Sequence, residues 1–281
     1  MVVFDFLEIQ NPRLRFSFAA AVKDAEIAEH LFQILVEVMD VNSSEPRSPT
    51  QSVETFDISA FNIEKDESIV GLAAHVYWRA LKILPALVRA WWTSSNDKHL
   101  RAAVDSFTEK WFSSSVITHQ LSSVRDADTL KYENMTLKAS LGQKQVTATY
   151  ALQDVTIEVV VRLPPNFPLR QVEVDCTQRV GISEMQWRKW LLSIMTVIAT
   201  QNGTIVDALK MWKQDADKIF EGIEECSICY YVVHAGDRSL PKVTCKTCKH
   251  KFHGGCLVRH PLPPPFPSLP KPRMFMAVSS S

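Results

Sequence analysis

The 281-residue sequence predicts an α+β protein that ends in a small cysteine-rich module. Three observations support this fold class. Apolar residues recur at helical spacing in the first third of the chain, they alternate with polar residues in the middle, and cysteines cluster near the end. Hydrophobic residues make up 46% of the chain, which is enough to fill proper cores in two domains.

Two amphipathic helices are predicted in the N-terminal region. Residues 17–40 and 66–92 each place apolar side chains three and four positions apart, with charges between them. Pro85 must kink or divide the second helix because it cannot donate a backbone hydrogen bond. The intervening residues 42–49 are rich in serine and proline and predict a loop. Two helices alone cannot bury both apolar stripes, so residues 1–95 predict the end of a helical repeat stack that belongs to something longer.

A four-stranded antiparallel sheet is predicted in the middle of the chain. Its third strand shows the pattern best, since Val155, Ile157 and Val159 alternate with polar residues. A helix at 97–112 precedes the sheet, and helices at 184–200 and 204–220, separated by Asn202-Gly203, follow it. This order predicts one layer of helices on one sheet, ending near Glu221. The strands are predicted at 135–140, 145–152, 155–163 and 171–176, with turns at Gly142 and 164–168.

Charge and hydropathy exclude several classes of function. Thirty-one basic residues balance 31 acidic ones, so no global field draws the chain to nucleic acid or an anionic membrane, and no nucleic-acid motif is present. The first residues lack the pattern of a signal peptide. The apolar run 81–92 is interrupted by Lys82, Pro85 and Arg89. We therefore expect neither secretion nor a membrane-spanning segment.

The cysteines indicate a zinc site. All of them except Cys176 lie between Cys226 and Cys256, in two Cys-x-x-Cys pairs followed by His253 and Cys256. Two thiolates two residues apart lie on one tight turn, where a tetrahedral ion can use both. A disulfide framework would need an oxidising compartment, which nothing in the sequence suggests. The lone Cys176 at a strand end is interpreted as a small core residue rather than a nucleophile.

Spacing alone leaves two arrangements of the ligands open. A zinc ribbon would use one site of four cysteines, Cys226, Cys229, Cys245 and Cys248. A cross-brace would instead join the first pair to His253 and Cys256, and leave the second pair for a second ion.

Several sequence stretches resemble the listerin family of ubiquitin-protein ligases. The stretches around the cysteines are similar to the family's RING domain, and Asn166-Phe-Pro168 stands where its RWD domain carries a Tyr-Pro turn. The resemblance covers roughly residues 72–257. It is carried by Leu84-Pro-Ala-Leu-Val-Arg-Ala-Trp-Trp92, Gln186-Trp-Arg-Lys-Trp190, Gln201-Asn-Gly203, Phe220-Glu-Gly222, Glu225-Cys-Ser-Ile-Cys229, Ser239-Leu-Pro-Lys242 and Cys245-Lys-Thr-Cys-Lys-His-Lys-Phe-His-Gly-Gly-Cys-Leu257.

The resemblance implies a cross-brace. Cys226, Cys229, His253 and Cys256 would hold the first zinc ion, and Cys245 and Cys248 would begin a second site. The family pattern continues with a tryptophan-bearing helix and a final Cys-x-x-Cys, whereas here proline-rich residues follow Leu257 and no further cysteine occurs. We therefore expect the second site to be incomplete. His250 and His260 are interpreted as solvated histidines rather than replacement ligands.

The resemblance also implies a division of the chain and a function. Residues 1–95 would end a HEAT-like stack, 96–221 would form an RWD-like domain, 222–257 a partial RING module, and 258–281 a disordered proline-rich tail. A RING-type ligase has no catalytic nucleophile of its own, and it positions a ubiquitin-charged conjugating enzyme. Ile228, between the first two ligands, would contact that enzyme or simply pack the module.

In the listerin family these parts imply a cytosolic ligase of ribosome quality control. Its partners would be a ubiquitin-conjugating enzyme, the large ribosomal subunit with a stalled nascent chain, and other quality-control subunits. The incomplete second site keeps a second hypothesis open, in which the chain is a zinc-binding interaction module that does not transfer ubiquitin.

Overall fold

The computed structural model describes residues 2–8, 12–25, 27–42, 68–128, 132–152, 155–179 and 181–259. These residues divide into two compact units, one ending at Gly222 and the other beginning at Ile223. The predicted α+β class is confirmed, with leading helices, a four-stranded antiparallel sheet with its helices, and a Cys/His cluster near the C-terminus. The predicted loop after Asn42 and the proline-rich tail from His260 lie outside the described residues.

The N-terminal region contains more helices than the sequence predicted. The single helix expected over 17–40 is wrong, because the chain forms two helices there. Apolar spacing continues through both of them, so the pattern carried no sign of the break. The prediction that Pro85 divides the next segment is confirmed, and this proline begins its helix where a missing N–H costs nothing. The helices are α1 Val2–Glu8, α2 Pro12–Asp24, α3 Ile27–Val38, α4 Ile69–Ile83 and α5 Pro85–Ser94.

A long helical segment leads from this region to the sheet. Helix α6 spans Lys98–Thr108, and the Asp97 carboxylate accepts the N–H groups of its first turn. The chain continues through a π-helical turn, Glu109–Ser113, into α7 at Ser114–Asp128. The predicted helix ended at residue 112, so α7 was missed.

The predicted four-stranded antiparallel meander is confirmed, with strands in the order β1-β2-β3-β4. The fourth strand, predicted at 171–176, lies two to three residues further along the chain, at Glu173–Arg179. Tyr150 on β2 lies opposite Met135 on one side and Ile157 on the other. All three are buried, so one face of the sheet contributes to the core. The strands are β1 Met135–Ser140, β2 Gln145–Leu152, β3 Val155–Arg162 and β4 Glu173–Arg179. The predicted turn between β3 and β4 contains a cis peptide bond at Phe167–Pro168.

Two helices complete the first unit, α8 at Glu184–Thr200 and α9 at Ile205–Phe220. Trp190 and Trp212 are buried and meet edge to face with ring centroids 6.2 Å apart. Gly203 between the helices has no room for a side chain, since a Cβ there would lie 2.4 Å from Val197 Cγ1. No described helix is long and apolar enough to span a bilayer.

The second unit is small. Strands β5 Val243–Thr244 and β6 Lys251–Phe252 form a short hairpin, and helix α10 follows at Gly254–Arg259. Cys226, Phe252 and Cys256 are buried together at its centre. So small a core is typical of modules that need a further crosslink, such as a metal ion, to fold.

Candidate metal centre

The first Cys-x-x-Cys pair forms a tight turn that prepares the Cys226 sulfur for a cation. The N–H of Cys226 donates to the carbonyl of Tyr231 at 3.1 Å, and the N–H of Tyr230 donates back to Cys226 at 2.7 Å. Burial raises the pKa of the Cys226 thiol. Hydrogen bonds from the backbone N–H groups of His253, Cys229 and Ile228 lower the pKa by more than burial raises it, and it falls to about 6. The turn therefore favours a thiolate.

His253 and Cys256 come to this turn from the end of β6 and the start of α10. His253 is fully buried, and its Nε2 lies 3.1 Å from the carbonyl oxygen of Val232. Because a carbonyl only accepts, Nε2 carries the proton and Nδ1 is left as a metal ligand. Nδ1 lies 3.4 Å from Cys229 Sγ and 3.8 Å from Cys256 Sγ.

Together, Cys226, Cys229, His253 and Cys256 form a centre that can hold a metal ion. One ligand atom from each residue lies within 4.8 Å of all the others. Burial, followed by hydrogen bonds with the thiols of Cys229 and Cys226, raises the pKa of Cys256 to about 12. A protein without a cation here would thus keep this thiol protonated, whereas a bound cation would favour three thiolates. No disulfide joins any of the cysteines.

The second pair repeats the turn of the first one. The N–H of Cys245 donates to His250 at 2.9 Å, and the N–H of Lys249 donates to Cys245 at 3.1 Å, which matches the first turn residue by residue. Lys249 and Tyr230 also share a positive φ, at 64° and 60°. Backbone N–H groups of Cys248 and Thr247 lower the pKa of Cys245. The second pair thus has the same local geometry.

The second pair does not join the four-residue centre. The structure groups the first pair with His253 and Cys256, rather than with Cys245 and Cys248 as a ribbon would. Within the described part of the chain, no other group of three or more metal-binding side chains includes the second pair. Cys248 and His250 are exposed. His260 lies outside the described residues.

The remaining predicted residues have clear surroundings. Ile228 is half-buried, and part of its side chain packs against the cluster of Cys226, Phe252 and Cys256. Cys176 is buried on β4, and its thiol donates to the carbonyl of Gln178 at 2.9 Å.

Sequence reasoning missed a second histidine, His234, which lies beside the centre. The ring of His234 lies 5.2 Å from that of His253, centroid to centroid. Its Nδ1 lies 2.8 Å from an Asp237 carboxylate oxygen. Hydrogen bonds from Ser239, followed by that from His234, lower the pKa of Asp237 to about 2. The only sequence signal was the His-x-x-Asp spacing in a loop, which by itself indicates nothing.

Comparisons with known proteins match both halves of the first unit. A family model described as the LTN1 family HEAT repeat region matches residues 1–125, and one described as ubiquitin conjugating domain-like matches residues 135–219. The first range runs past the predicted domain boundary at residue 95. Neither range reaches the candidate metal centre.

Similar curated proteins are E3 ubiquitin-protein ligases named listerin. The chain is 39% identical to listerin of Gallus gallus over 82% of its own length and 13% of the relative. It is 35% identical to listerin of Mus musculus over 92% of its own length and 15% of the relative. It is 31% identical to listerin of Saccharomyces cerevisiae over 88% of its own length and 16% of the relative. The chain therefore spans less than a fifth of the length of these relatives.

Proposed function

Because the chain belongs to the listerin family, we propose that it is the part of a RING-type ubiquitin-protein ligase that recruits a charged ubiquitin-conjugating enzyme. The observation that carries the proposal is the buried centre of Cys226, Cys229, His253 and Cys256. A ligase of this type acts by positioning another enzyme's thioester, so the proposal requires no catalytic residue in this centre.

Zinc is the metal that we propose for this centre. Three thiols and one imidazole form a donor set that Zn²⁺ takes in closed, four-coordinate structural sites. The fixed tautomer of His253 and the backbone N–H groups around Cys226 suit that ion. Its chemistry would be structural, since a closed shell leaves no position for water or substrate. Cys245 and Cys248 are proposed as the start of a second, incomplete zinc site.

The contact surface for the conjugating enzyme is proposed around Ile228. The Ile228 N–H faces the Cys226 sulfur, and its half-buried side chain leaves apolar surface free. Tyr230 and Tyr231 follow directly and are 74% and 60% exposed. Exposed aromatic residues beside an aliphatic residue on a rigid turn are typical of the side chains that dominate protein interfaces.

Ubiquitin transfer by the purified chain tests this proposal. The assay would combine the chain with zinc, ubiquitin, activating enzyme and a set of conjugating enzymes, and measure autoubiquitylation. Ile228→Ala should lower the rate about tenfold or more while metal content stays unchanged, because the contact surface is lost and the four ligand residues remain. Val243→Ala, an exposed apolar residue on β5 of the same unit, is the matched control and should keep the wild-type rate.

A second candidate function follows from the state of the second pair. Among the described residues, Cys245 and Cys248 find no further ligands, so the module would be stabilised by one ion instead of two. The chain would then bind partners without transferring ubiquitin. Bound metal together with absent transfer by every conjugating enzyme would favour this function over the ligase.

The remaining parts of the proposal come from the family resemblance. They are an RWD-like domain over 96–221, a HEAT-like stack before it, a partial RING module at 222–257 and a tail at 258–281. The partners would be large ribosomal subunits with stalled nascent chains and other quality-control subunits, in the cytosol. Co-sedimentation of the chain with purified large subunits measures the ribosomal contact, and recovery only in the soluble fraction would contradict it.

A further inference from the structure

A cavity in the first unit is lined by none of the residues of the candidate metal centre. It opens between α2, α5 and the end of α8, and its volume of about 540 Å³ is in the range of small-ligand sites. Small side chains form much of its wall, including Ala20 on α2 with Ala86 and Ala90 on α5. Two sequence stretches noted for their family resemblance meet here, contributing Arg89 and Asn202.

Arg89 places a buried cation at this cavity, and no carboxylate of the described residues pairs with it. It is 7% exposed, and it donates to the backbone carbonyls of Pro168, Leu169 and Ala199. Nη1 and Nη2 each use one N–H in these bonds, so each keeps one N–H for which the described residues supply no acceptor. Burial lowers the pKa of Arg89 to about 10, which leaves it protonated at neutral pH.

Asn202 adds a second buried donor to the cavity. Its Oδ1 accepts the N–H of Ala86 at 2.8 Å, which fixes the orientation of the amide. The other amide atom, Nδ2, finds no hydrogen-bond partner in the part of the chain that the structure describes, although the residue is only 2% exposed. A donor left unpaired in a protein interior costs stability, so such groups usually have a partner.

The remaining charges at the cavity favour an anion. Lys23 and Asp24 on α2 both line it and are exposed, so they offset one another. The positive charge of Arg89 is therefore left unbalanced by the other charged residues that line the cavity. A phosphate group would call for more cations than this, and the apolar walls would not suit it. A carboxylate with a short apolar group matches both the charge and the walls.

We propose that this cavity binds a ligand that carries a carboxylate beside a short apolar group. Arg89 and Asn202 would donate to the carboxylate, and the alanine wall would receive the apolar group. The C-terminal residue of a peptide and a small branched organic acid share this chemistry.

Three probes separate these sources in calorimetric titrations of the full chain. They are acetyl-Ala-Ala-Leu with a free carboxylate, the same peptide as its C-terminal amide, and 4-methylpentanoate. The peptide with a free carboxylate should bind at least about tenfold more tightly than the amide, because the amide cannot accept the charge-assisted hydrogen bonds. A peptide that binds more tightly than the acid assigns the site to a peptide end, and equal affinities assign it to a small acid. Equal binding of peptide and amide, or no binding at millimolar concentration, overturns the proposal.

Substitutions at the cavity test whether the probes bind there. Ala90→Trp fills the cavity and should abolish binding of the probes. Lys23→Glu changes an exposed charge at the cavity and should lower the affinity for the probes about twofold to fivefold. Lys138→Glu, an exposed lysine on β1 with the same change of charge, is the control and should bind as the unchanged chain does. If the melting curve shows that Ala90→Trp does not fold, Ala20→Trp fills the cavity from the opposite wall. Binding retained by a folded, filled variant refutes the site.

Discussion

Replacing Cys256 by serine should unfold the second unit and leave the first unit intact. The side chain is 6% exposed and supplies one of four ligand atoms that lie within 4.8 Å of one another. Structural zinc sites contribute about 10–16 kcal/mol to folding, and a hydroxyl is a poor replacement for a thiolate. Among the described residues, the rest of the unit's core is a few buried side chains, including Val232, Leu240 and Phe252, and its strands are two residues long. These described parts offer little else to hold the hairpin together.

The assay combines metal content with hydrogen exchange. After gel filtration, Cys256→Ser should contain less than one zinc ion per chain, and exchange should become fast in β5 and β6 but not in α8 or α9. Cys248→Ser is the matched control because this exposed cysteine lies outside the four-residue centre, and it should keep one ion and a protected hairpin. One tightly held ion with unchanged protection in Cys256→Ser would refute the assignment of the centre.

Three further predictions concern the first unit. Trp212→Ala should lower the free energy of unfolding by about 3–5 kcal/mol in denaturant titrations, since the ring is 1% exposed, whereas the exposed Leu192→Ala should change it by less than about 0.5 kcal/mol. Thr204→Ala removes the capping box of α9 and should cost about 0.5–2 kcal/mol; an unchanged midpoint would contradict it. Burial opposes the shift, but hydrogen bonding and charge from Lys82 lower the pKa of Glu8. Its stabilising contact is therefore complete above the unfolded value near 4.5 and is lost as the pH falls through the lower folded value. The protection factors of the α1 amides, corrected for the pH dependence of intrinsic exchange, should therefore fall only below about pH 4.5, and protection factors that stay constant down to pH 2 would contradict this.

Much of the fold could be predicted because local sequence patterns determine where many of its strands and helices form. The alternation around Val155 to Val159 and the Asn202-Gly203 stop gave strands and helices where the structure has them. The missed break between α2 and α3 and the missed α7 share one cause. Helical spacing records which face is buried, and that face continues across a break or beyond an expected end.

The candidate centre, too, could be predicted only in part from local sequence patterns. Residue types and the Cys-x-x-Cys spacing identified a stretch that could hold a metal ion, since two thiols on one turn are a local property. Spacing could not decide between a ribbon and a cross-brace, because the choice depends on which turn the end of β6 approaches. The packing of Phe252 and the bond from His253 to the Val232 carbonyl bring His253 and Cys256 to the first turn.

The sequence by itself determined the fold class, the approximate positions of the strands, the helix stop at Asn202-Gly203 and the donor types of the cysteine cluster, because each depends on neighbours within a few positions. Only the tertiary structure decided which candidate ligands meet, that the His234 ring lies beside that of His253, and that Arg89 and Asn202 line one cavity. These contacts join residues that are far apart in the chain. They are set by how helices and strands pack, which local patterns do not record.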